Sequence, residues 1–155
     1  MIIKKATRKD LQVLLKYMMD LQDHEHKLCN RVRADAKTRE LFEKRFIKKR
    51  IANPDYIFLI AWEGDQPAGI ATGWNENVSN AYKNEYVGYI CQLIVDPKFR
   101  GKGVGKKLAE RITEEFKSMG IKELKIEVLH NNQSSVKFWK KFGFEDMYRH
   151  MRKDI

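Results

Sequence analysis

Tyr89-Ile90-Cys91-Gln92-Leu93-Ile94-Val95, followed after Asp96-Pro97 by Arg100-Gly101-Lys102-Gly103-Val104-Gly105, is the stretch that decides the fold. The first segment is a largely apolar run of strand length, and the residues from Lys106 onward repeat at helical spacing. A strand therefore feeds a short loop, and three glycines at alternate positions carry the loop into a helix. Glycine lets the backbone approach a ligand closely and adopt dihedrals closed to other residues. The first-turn N–H groups of a helix have no internal partner, and the helix dipole adds partial positive charge there. Arg100, Lys102, Lys106 and Lys107 add full charges at the same point. The stretch reads as a phosphate cradle.

Two common phosphate loops do not fit it. A Walker loop ends in Gly-Lys-Ser/Thr, whereas Lys106-Lys107 follow Gly105. A dinucleotide fingerprint runs G-x-G-x-x-G, whereas these glycines run G-x-G-x-G and their strand lies deep in the chain. The pattern present is R-x-x-G-x-G after an apolar strand that ends in Val95-Asp96-Pro97. Leu93 to Leu108, LIVDPKFRGKGVGKKL, resembles the acetyl-CoA signature of the GNAT superfamily of N-acetyltransferases, with Arg100, Gly103 and Gly105 on signature positions. A second segment, IEVLHNNQSSVKFWKKFGF from Ile126 to Phe144, resembles another motif of that family through Asn132, Ser135, Trp139, Gly143 and Phe144. The two motifs fall in the family's order within residues 86–145; residues 1–85 match only in the order of elements.

The resemblance implies a site and a reaction. Acetyl-CoA is the implied co-substrate, lying where two parallel strands, residues 89–95 and 124–129, splay apart. Leu93 and Val95 would pair with its pantetheine arm as a surrogate strand. Backbone amides of Arg100, Gly101, Lys102, Gly103, Val104, Gly105 and Lys106 would take the pyrophosphate. Asn132 and Ser135 would hold the arm from the other side, next to Phe138 and Trp139, and a strand N–H near Leu93 or Ile94 would face the developing oxyanion. A primary amine of a small molecule or a polypeptide would attack the thioester directly. A lysine-type amine of pKa near 10.4 costs about 4 kcal/mol to deprotonate at neutral pH, whereas an α-amine costs well under 1, so the former needs a base. Glu127 occupies the acidic place of the family's second strand, and Glu85 and Tyr89 are further candidates. Trp139 stands where the family often has a tyrosine that protonates the leaving thiolate. Indole has no such proton. Tyr148, Tyr89 or a water replaces it, or the thiolate leaves unaided.

Composition sets the wider frame. With 155 residues, 43% of them hydrophobic, the chain reads as a single domain over 1–155 with a sizeable core. No apolar run reaches the roughly 20 residues of a membrane span, and no signal peptide is visible, so a cytoplasmic protein is expected. Cys29 and Cys91 lack metal or redox spacing, and His24 and His26 cannot share a helix face, so no metal site is expected. The net charge of +10 suits a polyanion: coenzyme A is one, and RNA or a ribosome-bound substrate is another.

In chain order, Ile2–Ala6 reads as a strand and Thr7 with Asp10 as a capping box, before a helix that buries Leu11, Leu14, Leu15 and Met18 and decays into a polar turn at 24–26. A helix after Asp35 carries Leu41, Phe42, Phe46 and Ile51 inward and Arg45, Lys48, Lys49 and Arg50 on a basic outer face. Residues 57–62 and 68–74 read as a hairpin, 75–85 as a functional loop, 132–142 as a helix and 144 onward as extended. The expected fold is α/β: a mixed, mostly antiparallel twisted sheet of about six to seven strands, with a central splayed parallel pair and flanking helices. Homodimers are common in proteins of the resembled family. Two other functions compete: a nucleic-acid or ribosome-associated binding protein working through the basic helix, and an acyl-CoA sensor without turnover.

Overall fold

A computed structural model describes residues 1–78 and 83–155. Five strands form one sheet among the described residues, in the order β1 (Ile2–Lys5), β2 (Tyr56–Glu63), β3 (Gln66–Asn77), β4 (Tyr86–Val95) and β5 (Leu124–Ile126). The first three pairings are antiparallel, and only β4 with β5 is parallel. The mixed, mostly antiparallel sheet is as expected. It is shorter by one or two strands, and the parallel pair lies at its edge rather than its centre. The reason lies in the tail: Phe144 to Ile155 forms neither helix nor strand, and its charged residues offer no alternating apolar face to bury. Residues 75–77, expected in a loop, complete β3, and the Val78 amide donates to the Glu85 carbonyl at 2.8 Å. The middle of that loop, 79–82, lies outside the described residues.

Helices cover both faces. Alternation along each strand sends Ile57, Leu59, Ala71 and Ile90 toward α4 (Val104–Ser118), whose Val104, Leu108, Ile112 and Phe116 are buried at four-residue steps. Each such side chain contributes roughly 1.5–3 kcal/mol on burial. The other face sends Phe58, Ile60 and Ile70 toward α1 (Leu11–Leu28) and the segment made of α2 (Ala36–Glu40), a π-helical turn (Leu41–Ile47) and α3 (Lys48–Arg50). The Thr7–Asp10 capping box is present and starts the 3₁₀ turn that leads into α1. That helix then runs unbroken through His24-Glu25-His26, where a polar turn was expected. The π-turn rotates the residues after it about the helix axis, because each of its turns takes more residues than an α-turn. Leu41, expected to face inward, is exposed at the start of this turn, whereas Phe46 and Ile47 at its end are buried.

Close approach of α4 to the sheet depends on glycines in the strands. A Cβ on Gly73 would lie 2.5 Å from the Tyr89 carbonyl oxygen and 2.9 Å from Phe116, and one on Gly88 would lie 2.7 Å from both Phe116 and Leu124. The backbone oxygen cannot yield as a side chain can. Gly73→Ala is expected to lower stability by about 1–3 kcal/mol in chemical denaturation; wild-type stability would show that α4 and β4 are not packed this tightly.

Candidate active site

The site begins where β4 outlasts its partner. Gly88, Tyr89 and Ile90 pair with Leu124, Lys125 and Ile126, and β4 then continues to Val95 with β3 on one side and no strand on the other. Cys91 is the extra residue of a bulge at that point, since Gly73 faces Ile90 and Thr72 faces Gln92. The Asp96 amide donates to Ala68 at 2.9 Å, so by strand alternation the Ile94 amide also faces β3, while those of Leu93 and Val95 face the open side. Of the two amides expected near an oxyanion, Leu93 is the one directed into the gap. The Val95 carbonyl is engaged by Arg100, whose Nε donates to it at 3.2 Å. Arg100 thus braces the strand end as well as lending charge.

The glycine loop comes directly after this strand end. Asp96 caps the turn Pro97–Phe99 by accepting from the Lys98 amide at 3.0 Å, and Tyr17 from α1 donates to the Pro67 carbonyl at 2.6 Å and to Asp96 Oδ2 at 3.3 Å. Burial and Asp96 push the Tyr17 phenol far above its ordinary pKa, so it stays a donor. Sequence reading missed this anchor; its two ends are 79 residues apart. Gly101 and Gly103 hold φ of 74° and 78°, the left-handed region that favours glycine. Gly103 is the N-cap of α4 and brings no side-chain cap, so the first-turn amides of Val104, Gly105 and Lys106 point outward without one. Lys102 sits 5.4 Å from the Phe99 ring centre and, with Lys107, lines a cavity of about 360 Å³ beside the loop. A Cβ on Gly105 would lie 3.5–3.8 Å from Val95, Leu93 and Phe138, which places strand end, helix start and α5 (Gln133–Lys141) around one point.

Across the gap, Asn132 is buried and caps α5, its Oδ1 accepting from the Ser135 amide at 3.3 Å and from Ser134 Oγ at 3.0 Å. Trp139 is 8% exposed and packs edge-on against Phe138, Phe142 and Phe144, with ring centres 4.9–6.1 Å apart. It belongs to the core.

Acid–base groups gather on the opposite face of the sheet. Lys125 Nζ lies 2.7 Å from Glu76 and 3.6 Å from Glu127, and 4.9 Å from the Tyr89 ring centre. Tyr89 is wedged edge-on against Trp74 at 4.6 Å, and its hydroxyl lies beside Glu127. Burial above all, then Cys91 and Glu127, pushes its phenol well above the usual range. Burial also pushes the Cys91 thiol up to about 12. Glu127 keeps a 70% exposed side chain, and Tyr148 is 72% exposed on the C-terminal segment. Glu85 is exposed next to the undescribed residues.

Sequence reading left Glu25, Arg50, Trp74 and Glu76 out of the site. Arg50 was expected on a basic outer face; instead its guanidinium lies over the rings of Tyr56 at 4.9 Å and Phe46 at 5.2 Å. On that outer face Lys44 and Lys48 pair with Glu40 and Glu43 at 2.7 Å, which removes much of the charge a nucleic acid would need.

Known proteins share this frame. The model of the acetyltransferase (GNAT) family matches residues 15–144. A glucosamine 6-phosphate N-acetyltransferase of Arabidopsis thaliana is 29% identical over 117 residues, 75% of this chain and 76% of that protein. One of Trypanosoma brucei brucei is 36% identical over 69 residues, 44% of this chain. The chain spans less than half the length of several curated relatives, 45% of the trypanosomal protein and 39% of an N-acetyltransferase of Methanocaldococcus jannaschii among them. A predicted acetyltransferase of Clostridium acetobutylicum, solved with acetyl-CoA, superposes with a TM-score of 0.79 at 20% identity, over 99% of this chain and 95% of that one. With a family model covering most of its length and the splayed strand leading into the glycine loop, the chain belongs to the GNAT family of acetyltransferases.

Proposed function

We propose that this protein transfers the acetyl group of acetyl-CoA to a primary amine of a small molecule or polypeptide. One observation carries the reading: from Cys91 to Val95 the β5 side of β4 is open, and the turn Pro97–Phe99 and the glycine loop then lead to an uncapped helix start. The free edge suits the amides of a pantetheine arm, and the first-turn amides with Arg100, Lys102 and Lys106 suit a diphosphate. Charge-assisted hydrogen bonds of this type contribute roughly 1.5–3 kcal/mol each. Asn132 and Ser135 close the arm's other side.

Acetyl-CoA supplies the activated acyl group; the chain's residues orient it and handle protons. The Leu93 amide meets the oxygen on which negative charge develops. Glu127 takes the proton that frees the amine, and the second nitrogen proton passes to water as the bond to the acetyl carbon forms and the carbon–sulfur bond breaks. The sulfur departs as a thiolate and is protonated by water; burial raises the Tyr89 phenol well above a thiol's pKa, so it keeps its own proton. Trp139 takes no part in that step. Cys91 takes no acyl group either, since a thiol titrating at about 12 is a poor nucleophile at neutral pH.

Thermal melting tests the cradle. A hundredfold excess of acetyl-CoA over its dissociation constant should stabilise the protein by about 2.7 kcal/mol, and Gly103→Asp, a residue type that tolerates positive φ, should remove that shift without unfolding the chain. An unchanged shift in the variant would reject the loop as the binding element. Glu127→Gln should slow acetylation of lysine-type amines by about 10²-fold and of α-amines much less, measured as free thiol release. Equal slowing of both would remove Glu127 as the base.

A further inference from the structure

On the α1 face, beside the point where β4 and β5 part, Glu127 lies with Lys125 and Tyr89, and rings lead from Tyr89 through Trp74 and Tyr56 to Arg50. The charges of Glu25 in the last turn of α1, Glu127 just past β5 and Arg50 at the end of α3 also act on the Cys91 thiol. Cys91 is also the first residue of β4 without a β5 partner, so these groups stand at the mouth of the gap.

Their partners differ. Lys125 is engaged by Glu76 and Glu127. Arg31, Arg33 and Arg111 each pair with a carboxylate at 2.6–2.8 Å. Arg50 makes no ion pair with any described residue; its neighbours are the faces of Tyr56 and Phe46. Tyr56 in turn packs on Trp74 at 5.9 Å and Trp74 on Tyr89 at 4.6 Å, a continuous aromatic wall from Arg50 to the splay. Glu25 is partly buried and likewise has no ion pair among the described residues, and burial raises its carboxyl pKa. This face, on the open side of β4, thus offers a guanidinium without an ion pair at the wall's far end and a partly buried carboxylate without one on α1.

We propose that this face is the acceptor site and takes a primary amine that carries an acidic group of its own, a carboxylate or a phosphate. Arg50 pairs with the acid through its planar fork of donors, and Glu25 with Glu127 receives the ammonium at the mouth of the gap. A polyamine or other polycation would set a positive charge against Arg50. This assignment rests on the transferase reading above.

Matched acceptors test it, with free thiol release measured at saturating acetyl-CoA. Lysine against lysinamide, and glucosamine 6-phosphate against glucosamine, isolate the acidic group. The acid-bearing member of at least one pair should show kcat/KM higher by about tenfold or more, the worth of roughly 1.4 kcal/mol. Arg50→Gln should erase that advantage through KM, leaving kcat and acetyl-CoA affinity in place, and Arg50→Lys should restore part of it. Equal use of both members, preference for spermidine, or equal loss on both in Arg50→Gln would overturn the acceptor assignment and leave the transferase reading standing. Absence of thiol release with every amine would remove both.

Discussion

The constraint that governs the rest of the molecule is an unsatisfied strand edge. Buried backbone N–H and C=O groups require partners, and a strand inside a sheet normally finds them on both sides. β4 has them on the β3 side along its whole length except at the Cys91 bulge, but on the β5 side only as far as Ile90. The bulge at Cys91 re-aims the strand there, and Arg100 returns to occupy the Val95 carbonyl. The Leu93 amide is left facing the gap. The elements around the edge hold it open: α4 is seated against the strands by Gly73 and Gly88, and α5 is fixed by the Asn132 cap and the Trp139 cluster.

The two faces of the sheet divide the work. The α4 face is apolar, and its helix presents an uncapped N-terminus at the loop. The α1 face carries the titratable side chains, held by an aromatic wall and by ion pairs centred on Lys125. Tyr17 ties these halves together, because its hydroxyl reaches both Pro67 at the start of β3 and Asp96 at the root of the loop. The large positive net charge is unevenly used. On the helix around residues 40–48 it is cancelled by neighbouring glutamates, while around Arg100, Lys102 and Lys107 it accumulates next to amides that can bind an anion.

What was legible in the sequence is what local spacing determines. The glycine loop, the four-residue repeat of α4, the Thr7–Asp10 capping box and the hairpin all rest on residues within a few positions of one another, and each is present. The family signature is of the same kind, since its glycines and Asn132 act through backbone geometry. Arg50 and Glu25 were illegible because their surroundings are set by tertiary packing. A helix-surface reading puts Arg50 among lysines, whereas the π-turn before it swings it onto Tyr56 and Phe46. The polar run at Glu25 looked like a turn, and α1 instead carries it to the splay. The strand count failed where pattern alone could not decide, in a charged tail with no face to bury.

Amide hydrogen exchange at single-residue resolution reaches the central claim most directly. The account predicts that Ile94, already bonded to β3, exchanges slowly with or without acetyl-CoA, and that Leu93 changes from fast to slow when acetyl-CoA is added. A Leu93 amide that is protected in the free protein, or that stays fast in the saturated one, would contradict the open edge as the place where the thioester is held.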